Sequence, residues 1–298
     1  MTASTAVPEQ PDSPTPTSAS AQAGPGRRRA LPLRVEAVRQ LRRRRTLAMG
    51  VLVVALPLII LVAFQVGGTP SGQRNQVTFL SVTTGSGLNF AATCLFLSAG
   101  FFMLVPVALF FGDTVASEAS WSSLRYLLAA PVPRGRLLMS KLGVALLFSA
   151  VASLVVPLVA LVAGGLVYGW SPLGLPTGGS LPAGTALARL GIAMAFVLVS
   201  QLVTGALAFW LSTVTDAPLG AVGGALGLTI LGNILGQISA LGSVRDFLPT
   251  YWAYSWVDAL QPTLQWSGML KGASLSVSYA VVLVALAFRH FRAKDVVS

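Results

Sequence analysis

The chain has one cysteine, one histidine and few charged residues, and each shortage argues against a class of protein. Only 10% of its 298 residues are charged. Soluble domains average about 25%, so a single soluble core is a poor explanation. The single cysteine, Cys94, excludes a disulfide framework and a thiolate metal site. No His, Asp and Glu residues stand at ligand spacing or beside a nucleophile, so we predict neither a metal site nor a catalytic site.

Lysine is also scarce, and no lysine follows a glycine. A phosphate-binding P-loop requires the pair Gly-Lys. The three lysines of this chain, Lys141, Lys271 and Lys294, follow serine, leucine and alanine. The sequence therefore lacks that nucleotide-binding motif, and we expect the chain itself to bind no cofactor.

Long apolar stretches fill most of the sequence between short islands of charge. Apolar residues make up 54% of the chain, and the mean hydropathy is +0.75. A helix needs about 20 apolar residues to cross a hydrocarbon core of about 30 Å. The pattern therefore predicts an all-α polytopic membrane protein with six transmembrane helices. The predicted spans cover residues 47–66, 88–111, 142–167, 190–211, 219–241 and 272–288.

The basic residues lie mostly on one side of the predicted membrane. Of the 20 Lys and Arg residues, the topology places Arg74, Arg189, Arg245 and Lys271 outside and the other 16 inside. Because cytoplasmic loops carry the excess of Lys and Arg, both termini are predicted to be cytoplasmic. The net charge of +11 then reflects membrane topology. The predicted partner is the lipid bilayer, not nucleic acid.

The N-terminal region divides into a tail and a basic helix. Residues 1–30 are rich in Pro, Ser, Thr and Ala over most of their length, which predicts a disordered cytoplasmic tail before a transmembrane domain over residues 31–298. Apolar residues between Leu31 and Leu41 share one helical face with arginines beside it. This pattern predicts an amphipathic helix in the inner membrane interface, with a plain basic anchor as the alternative.

The island between the second and third spans has the composition of a short amphipathic helix. Trp121, Leu124 and Leu128 share one face, and Glu118 near the start suits the positive end of the helix dipole. Pro131 ends the helix. Such a helix is too apolar for the cytosol and too short to cross a membrane. It must lie on the membrane or dock onto a partner, and a surface helix that merely caps the bundle is the alternative.

The island resembles the cytoplasmic loop of the ABC-2 family of ABC transporter permeases. The pattern is an acidic residue, a leucine, a charged position, two leucines, Pro-Val, and basic residues that lead to a lysine. The matching residues are Glu118, Leu124, Arg125, Leu127, Leu128, Pro131, Val132, Arg134 and Lys141. Ser122 stands where a glycine is common. The resemblance extends over residues 31–298 and includes an aromatic outer segment at Leu248-Pro249-Thr250-Tyr251-Trp252.

The resemblance implies that the island is a coupling helix, at about residues 117–130. In this family two permease chains pair as a homodimer or heterodimer, and each docks such a helix into a separate ATP-binding subunit, which binds ATP and Mg²⁺. The ATPase-coupling residues predicted in this way are Glu118, Trp121, Leu124, Arg125, Leu128, Pro131 and Arg134. The resemblance also favours export, and a bacterial inner (plasma) membrane as the location.

Polar residues inside the predicted spans are the candidates for a substrate path. Gln201, Asn233 and Gln237 are the predicted lining, and hydrogen bonding between helices is the alternative. No charged pocket predicts a substrate class, so lipids, drugs, peptides and ions stay open. The alternative function is an ion-coupled secondary transporter without an ATPase. Such proteins usually keep charged side chains in mid-membrane, which the predicted spans lack.

Overall fold

The computed structural model describes residues 37, 38, 40–68, 79–120, 134–176 and 178–293, with the backbone alone at 118–120 and 134. Nearly all of these residues are helical. The α-helices are α1 Arg44–Gly67, α2 Gly87–Ala99, α3 Leu104–Ser120, α4 Arg134–Tyr168, α5 Ala183–Ser200, α6 Leu202–Val214, α7 Pro218–Gln237 and α8 Ser267–Ala293. The 3₁₀ helices are Phe79–Gly85, Ser239–Phe247, Pro249–Trp252 and Ser255–Leu260. A small antiparallel hairpin pairs β1 Leu173–Gly174 with β2 Ser180–Leu181.

The long helices account for the predicted membrane spans. In the described part of the chain, five helical stretches are long and apolar enough to cross a membrane: α1, α4, α5 with α6, α7 and α8. α2 and α3, which are bent by 48° relative to each other, are long and apolar enough only together, and they give a sixth span if the pair crosses as one. The prediction of an all-α polytopic membrane protein is therefore confirmed. Of the predicted interfacial helix, residues 31–36 and 39 lie outside the described residues, and Ala37, Val38, Gln40 and Leu41 are helical.

The second predicted span, residues 88–111, is broken, because α2 ends at Ala99 and α3 begins at Leu104. The break places Pro106 in the first turn of α3, where its missing N–H has no helical acceptor to lose. Gly100, in the break, lies directly against the hydroxyl of Tyr254, where a Cβ would clash. The proline and the close approach explain the interruption.

α3 lies at the centre of the bundle, between α4 and α6. α1 and α2 pack on α4, whereas α7 and α8 pack on α6. Two clusters of buried apolar side chains fill the two halves of the bundle. The half that holds the C-terminal ends of α3 and α8 is filled by Val107, Phe111, Val115, Leu138, Phe209, Ala287 and Phe291. The other half includes Phe90, Leu95, Val156, Phe196 and Trp256.

The aromatic segment before α8 is packed onto the bundle. Three 3₁₀ helices make up this segment. Trp256 is fully buried and stacks on Phe79 with the ring centroids 6.1 Å apart. Arg189 of α5 donates to the carbonyls of Gln261 and Pro262. The segment is therefore held by protein contacts on two sides and caps that end of the bundle.

Candidate functional site

Most of the predicted coupling residues lie outside the part of the chain that the structure describes. α3 ends at Ser120 and α4 begins at Arg134. Glu118 was predicted near the start of the coupling helix, but it lies in the last turn of α3, so that helix cannot begin at residue 117. Arg134 opens α4, and the side chains of both residues lie outside the described part of the chain. The predicted coupling residues between the two helices are Trp121, Leu124, Arg125, Leu128 and Pro131. The structure therefore shows the two flanks of the predicted coupling segment, which are the C-terminal part of α3 and the first turns of α4.

Asp113 of α3 is the centre of an ion cluster at the first flank. Its carboxylate is nearly buried, with 6% of the side chain exposed. Arg43 Nη1 lies 2.7 Å from Oδ2, and Arg45 Nη1 lies 2.8 Å from Oδ1. Each carboxylate oxygen therefore has its own arginine. Because a buried charge is tolerated only when it is paired, these contacts fix the start of α1 against α3.

Lys141 of α4 ties the second flank to the first. The residue is 5% exposed, and its Nζ donates to the main-chain carbonyl of Thr114 at 3.2 Å. Thr114 follows Asp113 directly, and Lys141 lies two turns into α4. The two helices that enter and leave the predicted coupling segment are thus joined to each other, and through Asp113 to α1. We call Arg43, Arg45, Asp113, Thr114 and Lys141 the Asp113 cluster.

The Asp113 cluster links three helices through ion pairs and a charge-assisted hydrogen bond. It combines three cationic side chains with one carboxylate, and the carboxylate is engaged by two arginines. Among the described residues, no three His, Cys, Asp or Glu side chains are grouped so that they could hold a metal ion. Charge-assisted hydrogen bonds of this type are short and directional, so they transmit the position of one helix to the next.

Sequence reasoning did not single out Asp113, although the sequence contains a signal for it. Asp113 is the first charged residue after the charge-free stretch 75–112, and the topology places it on the same side as Arg42–Arg45. A single acidic residue at the inner end of one span, facing a basic run at the inner end of another, is a candidate ion pair. Which arginine it contacts depends on helix packing.

A comparison with protein families matches the features assembled so far. A family model described as ABC-2 family transporter protein matches residues 33–232. The match includes the start of α1, the whole Asp113 cluster, the predicted coupling segment and most of α7. This chain belongs to the ABC-2 transporter family. No curated protein matches the chain closely enough to identify a nearer relative. As an ABC-2 protein, the chain is the membrane-spanning permease subunit of a transporter.

Two of the three predicted substrate-path residues come together inside this permease. Gln201 separates α5 from α6, is 4% exposed, and accepts a hydrogen bond from Ser153 Oγ at 2.6 Å. Gln201 and Asn233 line one small cavity together with Thr250. Gln237 lies instead at the exposed end of α7. The breaks at Gln201 and after Ala99 both border this cavity.

The amide of Gln201 is only half satisfied. Its Nε2 is buried without a hydrogen-bond partner among the described residues, as are Ser149 Oγ and Thr250 Oγ1. Gln201 and Ser149 line a second cavity of about 160 Å³, whose other walls are apolar apart from main-chain atoms. Buried donors without partners are costly, so these groups are suited to hold water or the polar part of a passing molecule.

Asn89, another polar residue of the spans, has a purely structural environment. Ser86 caps α2 by accepting from the Asn89 N–H at 3.2 Å. The Asn89 side chain donates to the Gly174 carbonyl at 2.7 Å and accepts from the Gly174 N–H at 3.0 Å. The amide is therefore fully used in holding the hairpin against α2. Asn89 fits the structural role expected of a polar side chain in lipid, in contrast to Gln201.

Proposed function

We propose that this permease is part of an ATP-driven exporter and is coupled through residues 117–130 to a separate ATP-binding subunit. Membership of the ABC-2 family supports a transporter that depends on such a subunit. The resemblance of the loop to that family supports export over import. The working unit is then two permease chains, identical or different, with two ATP-binding subunits that carry ATP and Mg²⁺. The location is the inner membrane of a bacterium, with both termini in the cytoplasm.

The observation that carries the proposal is the Asp113 cluster. The segment that would dock onto the ATPase emerges from α3 and returns into α4, and Lys141 joins these two helices at its base. Asp113 binds Arg43 and Arg45, which connects the start of α1 to the same two helices. A displacement of the docked segment would therefore move three transmembrane helices together and could not be absorbed by one helix alone.

This arrangement supports a specific coupling mechanism. Closure of the ATPase dimer displaces residues 117–130, and the Asp113 cluster passes the movement to α1, α3 and α4. The break after Ala99, where α2 and α3 are bent by 48°, is the point where the outer half of one span can change direction relative to its inner half. The bundle then alternates between inward-open and outward-open packings, as expected for a bistable membrane bundle. Trp121, Leu124 and Leu128 are the proposed buried anchors of the dock.

Co-purification from native membranes in mild detergent tests the proposal. The wild-type chain is expected to retain a stoichiometric soluble subunit that bears a P-loop. The double variant L124D/L128D is expected to lose it, because two carboxylates would have to be buried in the dock. The matched control is V244D/F247D, the same chemical change at two exposed residues of the opposite end of the bundle, which should retain the subunit.

The outcomes separate the possible readings. Loss in L124D/L128D alone supports the coupling role. Equal retention by both variants contradicts it, whereas equal loss from both points to a general folding defect, which the elution profile of the permease would reveal. A well-folded wild-type preparation without any ATPase would overturn the proposal in favour of an ion-coupled transporter.

A further inference from the structure

A groove runs between α4 and α8 on the surface of the bundle. It has a volume of about 970 Å³ and is floored by α6 and by Phe111 of α3. α8 packs closely along α6 but makes few contacts with α4, which leaves the space between α4 and α8 open. A groove of this size lies at the upper end of the range for sites that bind small molecules.

The walls of this α4–α8 groove are apolar along most of its length. α8 contributes Val277, Val281, Val284 and Phe288, whose spacing of three and four residues places them on one helical face. Val281 is 62% exposed. Met139 of α4, on the opposite wall, is 58% exposed. Such a surface is complementary to a hydrocarbon chain.

One end of the α4–α8 groove is basic. Among its described lining residues, the charged ones are Arg289 and Arg292, one turn apart on α8, and none is acidic. The guanidinium of Arg292 lies beside Gly135 in the first turn of α4, with Nη2 3.3 Å from the position of a Cβ there. The basic end therefore lies where α8 approaches the start of α4, on the side of the bundle that holds the Asp113 cluster.

We propose that the α4–α8 groove binds an anionic phospholipid from the inner leaflet, with the phosphate at Arg289 and Arg292 and an acyl chain along Val281. Basic pockets between transmembrane helices on the cytoplasmic side favour anionic headgroups, because arginine forms charge-assisted and often bidentate hydrogen bonds with phosphate. The occupant needs one anionic head and one long apolar chain, which is the chemistry of a lipid. This binding is independent of the transport function proposed above.

A second groove serves as an internal comparison. It lies between α1 and α4, has a volume of about 610 Å³, and is also apolar. None of its described lining residues is charged. Since the two grooves share apolar walls and differ at the basic end, an acyl chain can lie in either, but selection for an anionic headgroup is expected only in the α4–α8 groove.

The test is native mass spectrometry of the full-length chain during titration with phosphatidylglycerol or phosphatidylcholine of the same acyl composition. The wild type should retain phosphatidylglycerol preferentially. R289Q/R292Q should bind it about thirtyfold more weakly, from about 1 kcal/mol per arginine near an anionic surface. R42Q/R44Q is the matched control, because it removes two exposed arginines from the same side outside the groove, and it should keep the preference.

A second pair of variants tests the apolar part of the site without changing charge. V281W places an indole in the groove, whereas V282W places it at the neighbouring residue, which is 59% exposed and is not among the lining residues. Retention of phosphatidylglycerol should fall in V281W and stay unchanged in V282W. Equal weakening by both arginine pairs, or equal retention of both lipids by the wild type, would overturn the proposal. The proposal would also be overturned if V281W changed dimer formation but left the retention of phosphatidylglycerol unchanged.

Discussion

Arg43 and Asp113 are 70 residues apart in sequence, yet Nη1 and Oδ2 lie 2.7 Å apart in the folded chain. The carboxylate is almost buried, whereas 25% of the Arg43 side chain is exposed. The cost of desolvation therefore falls mainly on Asp113, and it is offset only while the arginines stay in place. This asymmetry makes Asp113 the sensitive member of the pair and the better residue to substitute.

Replacing Asp113 by asparagine is expected to destabilise the fold and weaken coupling. D113N keeps the shape of the side chain but leaves two arginines without their counter-charge. Since both arginines reach solvent, we expect a loss of about 2 kcal/mol, below the range for a fully buried pair. Thermal unfolding in detergent measures the stability, and stimulation of the partner ATPase measures the coupling. D246N at the exposed outer segment is the control, and an equal shift in both variants would show that the ion pairs contribute nothing.

The sequence predicted the fold class because the bilayer imposes a strong rule on composition. Each of the six predicted spans overlaps either a helix that is long and apolar enough to cross a membrane or, at residues 88–111, the bent pair α2 and α3. The rule marks where a chain leaves the lipid, not where a helix ends. α4 accordingly begins at Arg134, well before the predicted boundary at residue 142, because a basic helical turn is stable in the headgroup region.

Features that depend on packing were not predictable in the same way. Pro106 marks the second span as interrupted, but the break between Ala99 and Leu104 lies inside an evenly apolar stretch, so hydropathy does not give its position. Gln201 and Asn233 were chosen only because they are polar, and the sequence could not show that one cavity brings them together. The pairing of Asp113 with Arg43 and Arg45 needed the relative rotation of two helices, which periodicity alone does not provide.

The contact between Ser153 and Gln201 predicts that the effects of substituting the two residues on stability are not additive. S153A should cost about 1 kcal/mol, because it removes the partner of Gln201 Oε1 and leaves a second amide atom unsatisfied. The double variant S153A/Q201L replaces both partners by apolar groups and also removes the unpartnered Nε2, so it should be more stable than S153A alone. Unfolding in detergent measures the stability of S153A, Q201L and the double variant. A double variant less stable than S153A would show that Gln201 is satisfied by other means.

Asp258 predicts a dependence of stability on pH. Burial raises the pKa of this carboxyl, in the 3₁₀ helix before α8, above its ordinary value of about 3.8. The folded state therefore holds the proton of Asp258 more tightly than the unfolded state. The contribution of Asp258 to stability is full below pH 3.8 and falls as pH rises through the pKa of the folded state. D258N cannot ionise and should gain in melting temperature relative to the wild type as pH rises over this window. If the difference in melting temperature between D258N and the wild type stayed constant across that pH window, Asp258 would ionise equally easily in the folded and unfolded states.

The proposed orientation predicts which side of the membrane each end of the bundle faces. Ser122 lies in the coupling segment beyond the C-terminal end of α3, and Thr263 is exposed in the aromatic segment at the opposite end. The only native thiol, Cys94, is fully buried and should not react. In intact cells a membrane-impermeant maleimide should therefore label T263C, but it should label S122C only after the membrane is opened. Because the excess of arginines on the S122C side sets this expectation, labelling of S122C in intact cells would reverse the orientation. The proposed ATPase dock would then lie on the wrong side of the membrane.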